Sequence, residues 1–163
     1  MGFGRKGAAP RFVHADDVEW REVLAQDHAG RRVSVREKWL ELTPRCMAFL
    51  AEWDPGMTVS LHGHYATNTI FVLSGSMTVG DRECPAGTHI TLDIGVPYGP
   101  LTAGPEGVTL YEVMVGDPTP WHADPEGYDR LLQERGIAKL PNPPLDLPDW
   151  IEDQRKLYSG ETG

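Results

Sequence analysis

Two histidines separated by one residue, His62 and His64, are the side chains here whose type and spacing could do chemistry. In an extended strand, residues two apart project from the same face, so the two imidazoles stand side by side. Neutral imidazoles at that spacing can chelate one divalent transition metal. Thr58 and Ser60 fall on the same face, and Val59 and Leu61 on the other. A strand face carrying Thr, Ser, His and His reads as the wall of a pocket inside a barrel rather than as packed core. Gly63 leaves the opposite face bare between the histidines, which predicts close approach by another element. Tyr98 adds a second chemistry, because a phenol opposite a neutral histidine is a workable proton-transfer pair. Tyr65 and Tyr111 are further hydrogen-bond donors, more readily structural than catalytic.

The elements that must position these residues are short. The chain has 163 residues, with 18 glycines and 14 prolines, which is the size of one turn-punctuated domain. Strands are predicted at 33–42, 46–53, 57–64, 69–73, 76–79, 88–92 and 108–115, with turns at Asp54-Pro55-Gly56, Ser74-Gly75 and Gly80-Asp81. This is the pattern of an antiparallel sandwich or barrel. Tyr128, Leu131 and Leu132 predict a helix over 126–135, stopped by Gly136, and residues 149–158 could form a second short one. The expected organisation is an N-terminal extension (1–32), a β-barrel (33–118) and a helical C-terminal tail (119–163) packing on the barrel or on a partner subunit.

Composition narrows the function classes. A formal charge of −9, with Arg31-Arg32 as the only basic cluster, argues against nucleic acid as a partner. No apolar run approaches the roughly 18 residues of a membrane span, and the first ten residues do not read as a secretory signal. Cys46 and Cys84 make neither a disulfide framework nor a metal pair by spacing and read as reduced, mostly buried thiols. A cytoplasmic protein without membrane attachment is the expectation. His14, His28 and His122 fall in loop-like stretches and read as solvated, while Trp121-His122-Ala123-Asp124 could contribute to a lid.

From Gly56 to Tyr98 the sequence resembles the cupin family. Gly56 is followed after five residues by His62-Gly63-His64, after three more by Asn68 where the family has Glu, and after six by Gly75. Gly87 leads after five residues to Asp93-Ile94-Gly95, and then to Tyr98 where the second motif has His. The resemblance implies an all-β fold, a conical antiparallel barrel of the double-stranded β-helix jelly-roll type with a short helical tail, and a homodimer. It implies a divalent metal (iron, manganese, nickel or zinc) on His62 and His64. Asp93, Glu112 and Asn68 are candidates for a further ligand, and His89 is expected to face outward because Ile90 and Leu92 alternate with it. Ser60, Asn68 and Tyr111 are expected to line the substrate pocket, and His62, His64 and Tyr98 to be catalytic. Three functions stay open: a metal-dependent dioxygenase, lyase or isomerase acting on a small oxygenated molecule; a metal-free isomerase, lyase or cyclase using a histidine base and Tyr98 as acid; and a non-catalytic binding or sensor protein for a small ligand.

Overall fold

The computed structural model describes residues 9–153. Its elements are β1 (Arg21–His28), β2 (Arg31–Leu42), β3 (Cys46–Trp53), β4 (Thr58–Val59), β5 (His62–Val79), β6 (Arg82–Pro85), β7 (His89–Leu92), β8 (Leu101–His122), α1 (Pro125–Glu134) and β9 (Ile137–Lys139). The strands form one nine-stranded antiparallel sheet in the order β6-β5-β8-β3-β2-β1-β9, with β4 added to β8 and β7 to β5. It is the all-β barrel expected from the sequence, followed by a short helix.

Alternation builds the core. On β2, Val33 and Val35 point inward; on β5, Ile70 and Val72; on β8, Val108 and Leu110; all six are almost fully buried. β-branched and aliphatic side chains at period two are what a half-buried pleated surface selects. Phe71, Leu73 and Tyr111 lie between them on the outer face and are exposed.

The sheet is more continuous than the turn residues suggest. Three predicted strands merge into β5, and Ser74-Gly75 does not turn the chain. It is accommodated as bulges, with the β5–β8 register slipping between Val72 and Ser74 and again between Gly75 and Met77. Gly75 is required there: its φ is +69°, and a Cβ would stand 2.1 Å from the Gly107 carbonyl oxygen. The stretch before residue 108, rich in turn formers, likewise belongs to β8. At the other end the sheet reaches into the segment read as an extension, since β1 pairs with β2 from Arg21 to His28.

Helix α1 starts where Asp124 caps it, its Oδ1 accepting from the Gly127 amide at 2.9 Å, with Pro125 opening the first turn. Gly136, at φ +66°, ends it as predicted. The Tyr128 hydroxyl donates to the Thr58 carbonyl, and the Arg135 guanidinium to the hydroxyls of Thr58 and Thr102. These bonds fix the helix beside the strand that leads into the histidines. The predicted second short helix lies partly outside the described residues; Ile151, at its start, is buried. Among the described residues, no helix is long and apolar enough to cross a membrane.

Candidate functional site

The first residues of β5 set the site. His62 and His64 both face inward and are 8% exposed, with ring centroids 5.1 Å apart and planes nearly perpendicular. The His62 Nδ1 lies 2.8 Å from the Ser60 carbonyl oxygen, and the His64 Nδ1 2.7 Å from that of Pro118. A carbonyl oxygen can only accept, so each Nδ1 carries the proton and each Nε2 keeps its lone pair. Burial holds His62 down at about 4 and lowers His64 as well, so both rings are neutral near pH 7. Two fixed, neutral imidazoles with free Nε2 atoms have the chemistry of metal donors, with backbone carbonyls orienting the rings from behind.

Gly63 performs its predicted role. The Trp121 indole packs against it, and a Cβ would lie 2.8 Å from that ring. Trp121 stands opposite Gly63 in the β5–β8 ladder, and His122 opposite His62.

Tyr98 bridges to His62 through the backbone, donating to and accepting from it at 2.8 and 3.1 Å. Its ring centroid lies 4.7 Å from that of His62 and 6.4 Å from that of His64. Burial above all raises the phenol well beyond its ordinary value, so it stays protonated. Asn68 joins this group: its Nδ2 donates to Glu112 Oε1 at 2.6 Å and lies 3.4 Å from the Tyr98 hydroxyl. The Asn68 Oδ1 is buried without a hydrogen-bond partner. Burial pushes Glu112 up to about 8, only partly opposed by the bond from Asn68, so this carboxyl is neutral at pH 7.

The structure thus gathers His62, His64, Asn68, Tyr98 and Glu112, and separates them from three expected partners. Tyr111, expected in the pocket, is on the outer face, because it alternates with the inward Leu110 and Glu112. Asp93 sits exposed in the turn after β7, so it is not a ligand in this arrangement. Ser60 is buried, but its hydroxyl turns away from the histidine pair to His122 Nδ1, 2.8 Å away. It lines a separate cavity of about 360 Å³ with His122, Gln26, Tyr128 and Asn142. His89 faces outward as predicted. His122 and His28, read as solvated, each have a protein partner, His28 pairing with Gln26 at 3.1 Å. Among the described residues, no group of three His, Cys, Asp or Glu side chains is assembled around one point.

Sequence reading missed Arg21 and Glu37, and gave Trp39 a packing role at a barrel end or subunit contact rather than a place at a ligand site. Glu37 and Trp39 continue the inward set of Val33 and Val35 on β2, so period two alone could have found them. Trp39 Nε1 donates to Glu37 Oε2 at 2.6 Å, and burial pushes Glu37 up to about 7. Arg21, paired with Glu37 across β1 and β2, stacks its guanidinium over Trp39, 4.0 Å from the ring centroid.

A wrapped antiparallel sheet with a His-x-His pair facing its interior defines a cupin. The chain belongs to the family of ChrR cupin-like domains, whose model matches residues 8–115. Among solved structures it is similar to a protein assigned as an acetylacetone dioxygenase from Methylibium petroleiphilum PM1 (17% identity, 77% of this chain and 88% of that one, TM-score 0.59). It is also similar to an RmlC-like cupin from Shewanella frigidimarina (18%, 74% and 96%, 0.51) and to the DMSP lyase DddQ from Ruegeria pomeroyi (20%, 69% and 64%, 0.51). At these identities the likeness establishes the fold. No curated protein matches the chain.

Proposed function

We propose that this cupin is an enzyme that holds one divalent transition metal, iron, manganese, nickel or zinc, on His62 and His64 and acts on a small oxygenated organic molecule. The observation that carries the reading is the pair of Nδ1 bonds to the Ser60 and Pro118 carbonyls, which leaves two neutral imidazoles with free Nε2 lone pairs. Such second-sphere anchoring is how metal-binding histidines are oriented. Asn68 stands where the resemblance has a carboxylate ligand, and its unpartnered Oδ1 offers a neutral oxygen. Glu112, bonded to Asn68 and protonated at neutral pH, is a poor third ligand. Further donors would then have to come from water and from the small molecule. A metal bound there would supply Lewis-acid or redox chemistry. The chain's own residues would bind and orient the molecule, with the Tyr98 hydroxyl available to donate a proton or hydrogen bond beside the histidines. Dioxygenase and lyase relatives of the same fold make either reaction class compatible with this barrel.

The test is metal per subunit by elemental analysis of untagged protein purified without chelators. Near-stoichiometric metal that disappears in His62→Ala supports the reading. No metal in the wild-type protein, and none after soaking, ends it.

A second reading rests on the 4.7 Å approach of Tyr98 to His62. In it the two form a metal-free acid–base pair for isomerisation, elimination or cyclisation. It requires chelator-resistant turnover that is lost in Tyr98→Phe.

A further inference from the structure

The inner face of β2 changes character along its length. Val33 and Val35 are packed core, while Glu37 and Trp39 are polar-tipped and only partly buried. Trp39 lies in one row of the sheet with Phe49 of β3 and Glu112 of β8, so this stretch continues the interior wall on which Asn68 and Tyr98 sit. Arg21 closes that wall. Its guanidinium carbon lies over the Trp39 ring, 4.0 Å from the centroid, and its Nε is buried without a hydrogen-bond partner.

Among the described residues no hydrogen bond satisfies this cation, and the buried Glu37 carboxyl beside it feels its charge without pairing with it. Its cross-strand neighbour Glu37 accepts from Trp39 Nε1 instead, and among the described residues Arg21 makes no ion pair. The contrast with Arg32 and Arg36 is plain, since each of those grips a carboxylate with two nitrogens at the surface. A guanidinium stacked on an indole is pre-organised: its rotamers are already restricted, and its N–H edge remains free for a planar two-oxygen acceptor. A partly buried donor fork with no partner is costly unless something completes it.

We propose that Arg21, held on Trp39, is the recognition group for a carboxylate on the small molecule that enters this barrel. The proposal deepens the reading of the interior as a ligand site: the two histidines face one part of the molecule, and Arg21 takes its acid group by a bidentate pair. Trp39 acts as a positioning residue, and its bond to Glu37 keeps that carboxyl from taking the guanidinium.

The test is titration calorimetry of the full chain with pyruvate, glycolate, succinate and benzoate, each compared with its amide. At least one acid is expected to bind, with its amide weaker by tenfold or more. Arg21→Met should abolish that preference for the acid, Arg21→Lys should recover part of it, and Trp39→Phe should weaken the acid several-fold. Thermal melts establish that each variant is folded, and the lysine and phenylalanine variants carry the test if Arg21→Met is not. Equal binding of an acid by wild-type protein and Arg21→Met overturns the proposal, as does a wild-type protein that takes none of the four acids. Acid binding that survives Arg21→Met but is lost in His62→Ala also overturns it, because the carboxylate then sits on the histidine side. Metal content is measured on the same samples. Its absence from wild-type protein removes the metal reading, whereas the comparison of acid with amide in Arg21→Met remains decisive for Arg21.

Discussion

The inward positions of β5 divide into two stretches that follow the same backbone rule with different contents. From Ile70 to Met77 they carry Ile70, Val72 and Met77, each about 1% exposed or less. From His62 to Asn68 they carry two histidines, an alanine and an asparagine, buried nearly as well. The first stretch gains free energy simply by leaving water. The second loses hydration, and this loss is offset one atom at a time: by the Ser60 and Pro118 carbonyls for the histidines, and by Glu112 and Tyr98 for Asn68. One atom, the Asn68 Oδ1, is left without a partner. A barrel that only had to be stable could have continued the aliphatic pattern; the difference between the stretches marks where the fold departs from it, at the candidate site.

Several substitutions would break or sharpen this contrast. The largest effect is expected from Leu110→Ala on β8, opposite Val72 of the apolar stretch, about 2–5 kcal/mol of unfolding free energy by denaturant titration, with metal content in the folded fraction unchanged. A loss of metal together with stability would mean that the two stretches are not separable. Gly63→Ala comes next. Its Cβ would press on the Trp121 ring, and about 1–3 kcal/mol of destabilisation is expected. Because Gly63 lies between the histidines, reduced metal uptake should accompany it, measured as metal per folded subunit.

The buried carboxyls give a pH signature. Burial raises Glu112 to about 8 and Glu37 to about 7 from an ordinary value of 4.5. The unfolded chain therefore releases these protons at lower pH than the folded one, so folding is favoured in acid and weakened as pH rises through the window. The histidines act oppositely but only below their ordinary value of 6.5, since His62 and His64 are lowered. Between pH 7 and 8, Glu112 is the main contributor as the share of Glu37 fades, and its part of the stability should fall with rising pH by up to about 1.4 kcal/mol per unit. Glu112→Gln should flatten that part of a urea-midpoint profile; an unchanged slope would show that Glu112 is ionised in the folded protein. The smallest effect is expected from Tyr111→Phe, within about 0.5 kcal/mol and without change in metal content, as befits an outer-face residue. A large loss of metal or ligand affinity there would return Tyr111 to the pocket.

The residues of the candidate site were unevenly legible. His62, His64, Asn68 and Tyr98 were found because a strand's period of two and the spacing of the glycines are local properties. Tyr111 was misplaced because the inward phase of the last strand could not be fixed from Val108–Val115 alone, where apolar residues occur at both phases. Glu37 and Trp39 were hidden for the opposite reason. Their phase is clear from Val33 and Val35, but a glutamate after two valines looks like the polar edge of a strand until the facing sheet covers it. Ser60 had the right phase and still turned to another partner, since His122 arrives from 62 residues further along the chain.

What the sequence determined by itself is the kind of structure and the histidine pair: an antiparallel β fold, a turn-rich chain, a helix ended by Gly136, and two imidazoles on one strand face. Each follows from interactions within a few residues, which the order of residues fixes directly. Only the tertiary structure decided which nitrogen of each histidine is free, because the carbonyl that orients His64 comes from Pro118, 54 residues away. It also decided that burial raises the Glu112 and Glu37 carboxyls, and that Arg21 lies over Trp39 without a hydrogen-bond or ion-pair partner among the described residues. Protonation and pairing depend on what has been excluded from around a group, and that is set only when distant strands close over it.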